Sequence, residues 1–120
     1  MSKTPSFADD LSVDVERRGT AVVVRLIGAA HMNSSSELGR LLTEEIEPDT
    51  RRMVLDLSRL QFMSSVGLGG IIGAHARCCR QKAVLEIVHP TPAILELLEV
   101  TKLTRLFTIH PTVDAALASD

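Results

Sequence analysis

Short apolar strands that alternate with amphipathic helices are the feature that most constrains this 120-residue chain. Three segments are apolar and β-branched: AVVVRLIG (21–28), RRMVLDLS (51–58) and AVLEIV (83–88). Leucines at helical spacing lie between the first two, and a helical segment follows the second. Strands joined through helices run parallel, so the pattern predicts an α/β domain whose sheet has a parallel section.

The remaining segments complete the predicted order β-β-α-β-α-β-α-β-α. LSVDVERR (11–18) alternates apolar and polar residues, which predicts a half-buried strand in an antiparallel hairpin with 21–28. A last strand is predicted at 105–110. We predict helices at 33–47, from about 64 to 81, 91–100 and 111–119.

Local residues predict how these helices begin. A serine near Ser34 with Glu37 forms a predicted capping box for the first helix. Thr91 and Pro92 suit the cap and the first position of the third helix. The strand through Met53–Leu57 is predicted to pass into a loop before the second helix starts near Ser64.

Length and composition predict one domain, residues 11–119, after a flexible N-terminal tail, residues 1–10. Only 2% of residues are aromatic, with no Trp or Tyr, and the formal net charge is −2. Nucleic-acid modules need stacking platforms or a basic patch, so no nucleic-acid partner is predicted. The N-terminal segment lacks a signal-peptide pattern, and no apolar run reaches membrane-spanning length. These features predict a cytoplasmic protein without direct membrane insertion.

The cysteines and histidines predict no metal site. Cys78 and Cys79 are adjacent in a predicted helix, where neighbouring side chains point apart, so a disulfide between them is not expected. At least one of the two is predicted to be buried in a reducing compartment. The four histidines show no ligand-like spacing.

The segment FMSSVGLGG (62–70) lies where a strand leads into a helix. Serines there commonly cap the helix, and glycines commonly allow close packing. The first amides of a helix also favour an anion, so a phosphate on Ser64 or Ser65 would be tolerated. The residues alone leave these interpretations open.

Two catalytic interpretations of this segment are disfavoured. GLGGIIG lies inside the helix rather than before it, and Ile87 stands where a nucleotide-binding fold would place an acidic residue. A Ser–His pair with His31 lacks an evident carboxylate to orient the histidine. We therefore predict neither an enzyme nor a cofactor.

The segment VLDLSRLQFMSSVGLGGIIGAHARC resembles the central motif of STAS domains, the anti-sigma factor antagonist family, whose usual form is DLSxLxFMDSSGLG. The segments VVVRLIGAAHMNSSSELGRLL and PAILELLEVTKLTRLFTIHPTVDAALA are similar to other parts of that domain. The resemblance spans about residues 11–118. It implies a STAS fold with a mixed, mainly parallel sheet of four to five strands and helices packed against it.

The resemblance also implies a function in bacterial transcription regulation by partner switching. Members bind a serine/threonine kinase that acts as an anti-sigma factor, and this binding releases the sigma factor. The kinase phosphorylates a serine that aligns with Ser65, the complex dissociates, and a serine phosphatase resets the switch. The predicted partner-binding residues are His31, Ser64, Ser65, Val66, Gly67, Gly69, Gly70 and Gly73.

Three positions depart from the family motif. Ser64 replaces the Asp before the acceptor, Val66 replaces the following Ser or Thr, and His31 replaces the Asp of the turn before the first helix. These departures leave Ser64 as an alternative phosphorylation site. They also leave open a phosphorylation-independent interaction subunit in a signalling scaffold or in a lipid-transport ATPase complex.

Overall fold

A mixed β-sheet organises the computed structural model, which describes residues 2–3, 6–8 and 11–119. The strands are β1 (Ser2–Lys3), β2 (Ser6–Ala8), β3 (Leu11–Arg18), β4 (Ala21–Ala30), β5 (Arg52–Met63), β6 (Val84–Val88) and β7 (Thr108–His110). The helices are α1 (Met32–Glu44), α2 (Ser65–Arg80), α3 (Pro92–Val100) and α4 (Val113–Ala118), and a 3-10 turn spans Leu103–Arg105.

Five strands form the body of the sheet in the order β3-β4-β5-β6-β7. The β3–β4 hairpin is antiparallel, whereas β4–β5, β5–β6 and β6–β7 pair in parallel. The predicted mixed, mainly parallel α/β sheet is confirmed. The predicted last strand is shorter than expected, because the 3-10 turn ends at Arg105 and the chain continues in a turn and a bend through Phe107.

Two short strands lie within the segment predicted as a flexible tail. β1 and β2 pair antiparallel with β3, with Ser2 opposite Glu16 and Ser6 opposite Ser12. Residues 1, 4–5 and 9–10 of that segment lie outside the described residues. The flexibility of the tail and the domain boundary at residue 11 stay predictions.

Alternating side chains of the central strands enter two hydrophobic clusters on opposite faces of the sheet. Val22, Val24 and Leu26 of β4 join the larger cluster, which also takes in Leu38 of α1 and Ile71 of α2. Complete burial of one such Leu or Ile stabilises the fold by about 1.5–3 kcal/mol. This packing sets α1 and α2 side by side over the sheet.

A smaller cluster covers the other face, where α4 packs through Ala116 against valines of three strands: Val23, Val54 and Val88. Beyond α4 this face is polar. Arg25 there contacts Asp14, Glu16 and Asp56 on the neighbouring strands.

β5 is longer than the sequence pattern predicted, which corrects the expected loop before α2. The strand continues to Met63, and only Ser64 separates it from α2. Two register shifts against β4 lie in this second half of β5. Each shift interrupts the strict alternation of apolar and polar residues, and for this reason the strand pattern was not recognised beyond residue 58.

The predicted capping box of the first helix is wrong. β4 continues to Ala30, so α1 already begins at Met32 with His31 at its N-cap position, and Ser34 lies inside the helix. At α3 the predicted positions are confirmed, with Thr91 at the N-cap and Pro92 first. The Thr91 hydroxyl makes no cap bond and instead donates to the Leu60 carbonyl at 2.7 Å.

Candidate functional site at the start of α2

The candidate site lies at the carboxyl edge of the sheet, where two neighbouring parallel strands end together. Ala30 of β4 is paired with Met63 of β5, and the Ser64 amide donates to the Ala30 carbonyl at 2.9 Å. His31 and Ser64 therefore follow two adjacent strand ends. Ligand and interaction sites of parallel sheets gather at such edges.

Ser64 is the structural cap of α2. Its Oγ accepts a hydrogen bond from the Gly67 amide at 3.2 Å, and the residue is only 7% exposed. The side chain thus satisfies one of the amides that a helix start leaves without an internal partner. A hydroxyl that is buried and engaged in this way is a poor substrate for a protein kinase.

Ser65 is the first residue of α2, and it is exposed. No acidic residue lies in the first turn of the helix, whereas Arg77 and Arg80 lie in its last turn. The partial positive charge of the helix start would stabilise a phosphate here by roughly 0.3–1 kcal/mol at an exposed position. The two adjacent serines therefore have different surroundings although they differ by one position.

An exposed, uncharged surface runs along α2 from Ser65. Val66 is 37% exposed and Ile72 is 39% exposed. We call these residues, together with the exposed residues that complete the surface, the α2 strip: Val66, Gly69, Ile72, Gly73 and Ala76. A Cβ atom placed on Gly69 or Gly73 would meet no atom within 4 Å, so the backbone there is open to another molecule.

The four glycines predicted to bind a partner fall into two groups. Gly69 and Gly73 lie on the open strip, but Gly67 is buried. Gly70 lies against α1, since a Cβ on Gly39 would come within 3.1 Å of the Gly70 Cα. In this fold Gly70 therefore serves the close approach of α1 and α2. A partner-binding role for any of the four stays a prediction.

His31 and Phe62 form the edge of the site beside Ser65. Their rings stack at a centroid distance of 5.0 Å with planes tilted by 32°. His31 is exposed, and Phe62 is 47% exposed. Phe62 is not among the predicted site residues. The available signal was an aromatic residue at a strand end in a chain with only three phenylalanines.

The two cysteines of α2 differ in environment. Cys78 is buried and Cys79 is exposed, and both are free thiols, as predicted. Burial, with a smaller effect of the neighbouring Cys79, raises the pKa of the Cys78 thiol to about 11. The Cys79 sulfur lies 3.5 Å from Nε2 of His75, whose ring meets Phe107 edge-on at 5.2 Å.

The described part of the chain was also compared with what a metal site and a membrane span require of a protein. Among residues 2–3, 6–8 and 11–119, no three His, Cys, Asp or Glu side chains are grouped as a metal ion would require. In the same residues, no helix has the length and apolarity to span a membrane.

The geometry can now be compared with known proteins. The sequence model of the STAS domain matches residues 12–116. This chain belongs to the STAS domain family. It is similar to the anti-sigma F factor antagonist of Paenibacillus polymyxa, with 26% identity over 102 residues that cover 84% of this chain and 87% of that protein.

Solved structures share the architecture. An anti-sigma factor antagonist from Mycobacterium paratuberculosis matches with a TM-score of 0.80 and 26% identity, over 94% of this chain and 96% of that one. The Bacillus cell fate determinant SpoIIAA, solved in its phosphorylated form, matches with a TM-score of 0.72 and 18% identity, over 88% of this chain and 96% of that one. The second likeness shows the fold.

Proposed function

We propose that this chain is an anti-sigma factor antagonist that binds a serine/threonine-kinase anti-sigma factor and is released when Ser65 is phosphorylated. The observation that carries the proposal is the difference in exposure between the two adjacent serines. Ser64 is buried as the cap of α2, whereas Ser65 is exposed beside the uncharged α2 strip. Relatives at 26% identity that are named anti-sigma factor antagonists support the class of partner.

Phosphorylation of Ser65 would change binding without unfolding the protein. The added group carries about −1.5 to −2 charges, which the start of α2 tolerates. A partner surface that packs on Val66 and Ile72 must be largely apolar, and bringing this charge against it costs free energy. The charge thus favours the separated proteins, and a serine phosphatase in the cytoplasm would restore binding.

Phosphosite mapping tests the proposal directly. The purified protein is incubated with ATP and with each kinase-type anti-sigma factor encoded in the same genome, and the products are analysed by mass spectrometry. We expect phosphate on Ser65 and none on Ser64. Phosphate on Ser64 alone would contradict the assignment, because the cap bond to Gly67 would then have to open.

Binding measurements on Ser65 variants separate charge from size. Ser65→Ala should remain bound to the kinase in the presence of ATP, while Ser65→Asp should bind at least about a hundredfold more weakly, or roughly 2.7 kcal/mol. Ser65→Asn is the matched control, since it has the size of Asp without the charge, and it should keep most of the affinity. Equal affinities for the Asp and Asn variants would overturn the switch.

One observation favours a second function, that of a phosphorylation-independent interaction subunit. The first turn of α2 contains no acidic residue, and His31 stands where family members have an Asp. At positions 31 and 64, where family members have an Asp, this chain therefore lacks a carboxylate that could hold the acceptor hydroxyl or a nucleotide-bound cation. Co-purification with a signalling scaffold or a lipid-transport ATPase, with Ser65 unmodified, would support this function.

A further inference from the structure

A groove lies between the last part of β5 and α3. β6 pairs with β5 only from Arg52 to Asp56, whereas β5 continues to Met63. α3 occupies the place beside this unpaired part of β5, held at its start by the Thr91 hydrogen bond to Leu60. A helix cannot follow a strand edge as closely as another strand does, so a gap remains between the two elements.

The groove is apolar, and it has the size of one side chain. Its open volume is about 180 Å³. The residues that line it are Gln61, Phe62, Met63, Ala93, Ile94 and Leu97. An apolar cavity of about 150 Å³ can hold benzene, so this groove has room for one aromatic or branched apolar group.

Phe62 joins the groove to the proposed docking surface. The residue lines the groove and also stacks on His31 at the edge of the Ser65 site. Only Met63 and Ser64 separate Phe62 from the start of α2 along the chain. Phe62 therefore places one wall of the groove next to the surface that a partner would cover at Ser65 and Val66.

We propose that the groove receives one aromatic or branched apolar side chain of the anti-sigma factor that docks on the α2 strip. This inference rests on the proposed function. Interfaces concentrate their binding free energy in a few apolar anchors that fill pockets on the partner. The docking surface then has two parts. The α2 strip lies beside Ser65, where phosphate would oppose binding, and the groove strengthens binding by burying an apolar side chain.

Filling the groove from within tests the inference. Ala93 is exposed at the start of α3, so Ala93→Leu adds bulk to the groove without removing a core contact and keeps a good helix former. Ala118→Leu, at an exposed position of α4 on the other face of the sheet, is the matched control. The Kd for the kinase-type anti-sigma factor should rise at least about tenfold for Ala93→Leu and stay unchanged for Ala118→Leu.

A second measurement does not depend on the fold of a filled groove. A photo-crosslinking benzophenone amino acid replaces Glu96, an exposed residue of α3 one turn from Ala93 that does not line the groove, or, as control, Ala118, and the crosslinked peptide is identified by mass spectrometry. We expect a crosslink from position 96 to a peptide of the anti-sigma factor and none from position 118.

The outcomes distinguish the inference from the function on which it rests. If the wild-type protein binds and Ser65→Asp does not, but Ala93→Leu binds like the wild type and position 96 gives no crosslink, the groove is not used and the proposed function stands. If the wild-type protein binds none of the kinase-type anti-sigma factors, the proposed function fails and the groove assignment fails with it.

Discussion

The two ends of the sheet differ in how their side chains are satisfied. At the amino end, the Arg17 guanidinium donates hydrogen bonds to the Glu45 carbonyl at 2.6 Å and to the Thr50 hydroxyl. The side-chain amide of Gln81 donates to the carbonyls of Glu47 and Thr50. At the carboxyl end, apolar side chains such as Phe62 and Val66 lie exposed around Ser65. Hydrogen bonds within the chain thus hold the amino end together, whereas the carboxyl end leaves apolar side chains exposed around Ser65, as the proposed docking surface requires.

Further polar bonds at the amino end hold α4 to the sheet. The Arg52 guanidinium donates to Glu86, to the Ala116 carbonyl at 2.9 Å and to Ser119. Arg52 and Glu86 are 15% and 11% exposed in their side chains. Because the pair is largely removed from water, loss of one partner leaves a poorly solvated charge.

The largest expected effect is that of Arg52→Ala. Removal of the guanidinium leaves the largely buried Glu86 carboxylate, 3.2 Å from His110 Nε2, without its arginine partner and frees the end of α4, so the free energy of unfolding should fall by about 3 kcal/mol. Urea denaturation measures this change. Arg51→Ala is the control, since this exposed neighbour makes one long contact of 3.5 Å, and it should change stability by less than about 0.5 kcal/mol.

A glycine pair tests whether the α2 strip is open while the α1–α2 contact is closed. Gly69→Ala adds a methyl group into open space and improves helix propensity, so it should stabilise the protein by about 0.5–1 kcal/mol. Gly39→Ala places its Cβ 3.1 Å from the Gly70 backbone, and overpacking of about 1–3 kcal/mol should cancel or exceed the same gain. Thermal unfolding measures both, and equal stabilisation by the two changes would contradict the contrast.

The same two variants should behave in the opposite way in binding. The methyl group that Gly69→Ala adds lies on the surface proposed to meet the partner. This variant should therefore bind the partner more weakly than the wild type, although its fold is more stable. Gly39→Ala should leave the affinity close to that of the wild type, because Gly39 faces α2. If Gly69→Ala left the Kd for the partner unchanged, the partner would not pack against the α2 strip at Gly69.

Ser64→Ala tests the structural role of the first serine. Loss of the cap bond to the Gly67 amide should cost about 1 kcal/mol of stability, measured by denaturant unfolding. Phosphorylation of Ser65 should persist in this variant. Ser64→Asp is the companion variant, since Asp also caps helices and should restore most of the lost stability. Loss of phosphorylation in a folded Ser64→Ala protein would show that Ser64 does more than cap α2.

The smallest effect at neutral pH concerns the buried thiol, because it develops only in alkaline solution. The pKa of Cys78 is raised from 9.0 to about 11 in the folded protein, so the folded state holds this proton more tightly than the unfolded state does. The resulting contribution to stability is complete below pH 9 and is lost as the pH rises towards 11. Cys78→Ala should remove this part of the pH dependence in urea titrations. Iodoacetamide should modify exposed Cys79 in the native protein and reach Cys78 only on unfolding.

Much of the fold was predictable because its signals are local. Hydrophobic periodicity is carried within each segment, and it predicted the β3–β4 hairpin, the parallel section and the order of the helices. The FMSSVGLGG segment also resembles STAS domains residue by residue, and the family match over residues 12–116 confirms this resemblance. The residues alone were therefore enough to predict the order of the elements from β3 onward, the fold class and the segment that holds the candidate site.

Which of the two serines is buried depends on long-range packing, and the residues alone do not show it. The second half of β5 pairs with β4 through two register shifts, and this pairing, between segments about 30 residues apart, sets where the strand ends and which hydroxyl turns inward. The contact between Gly39 and Gly70 and the stacking of His31 on Phe62 likewise join residues from different elements. Packing between distant segments determines such features, and no local pattern of residue types encodes it.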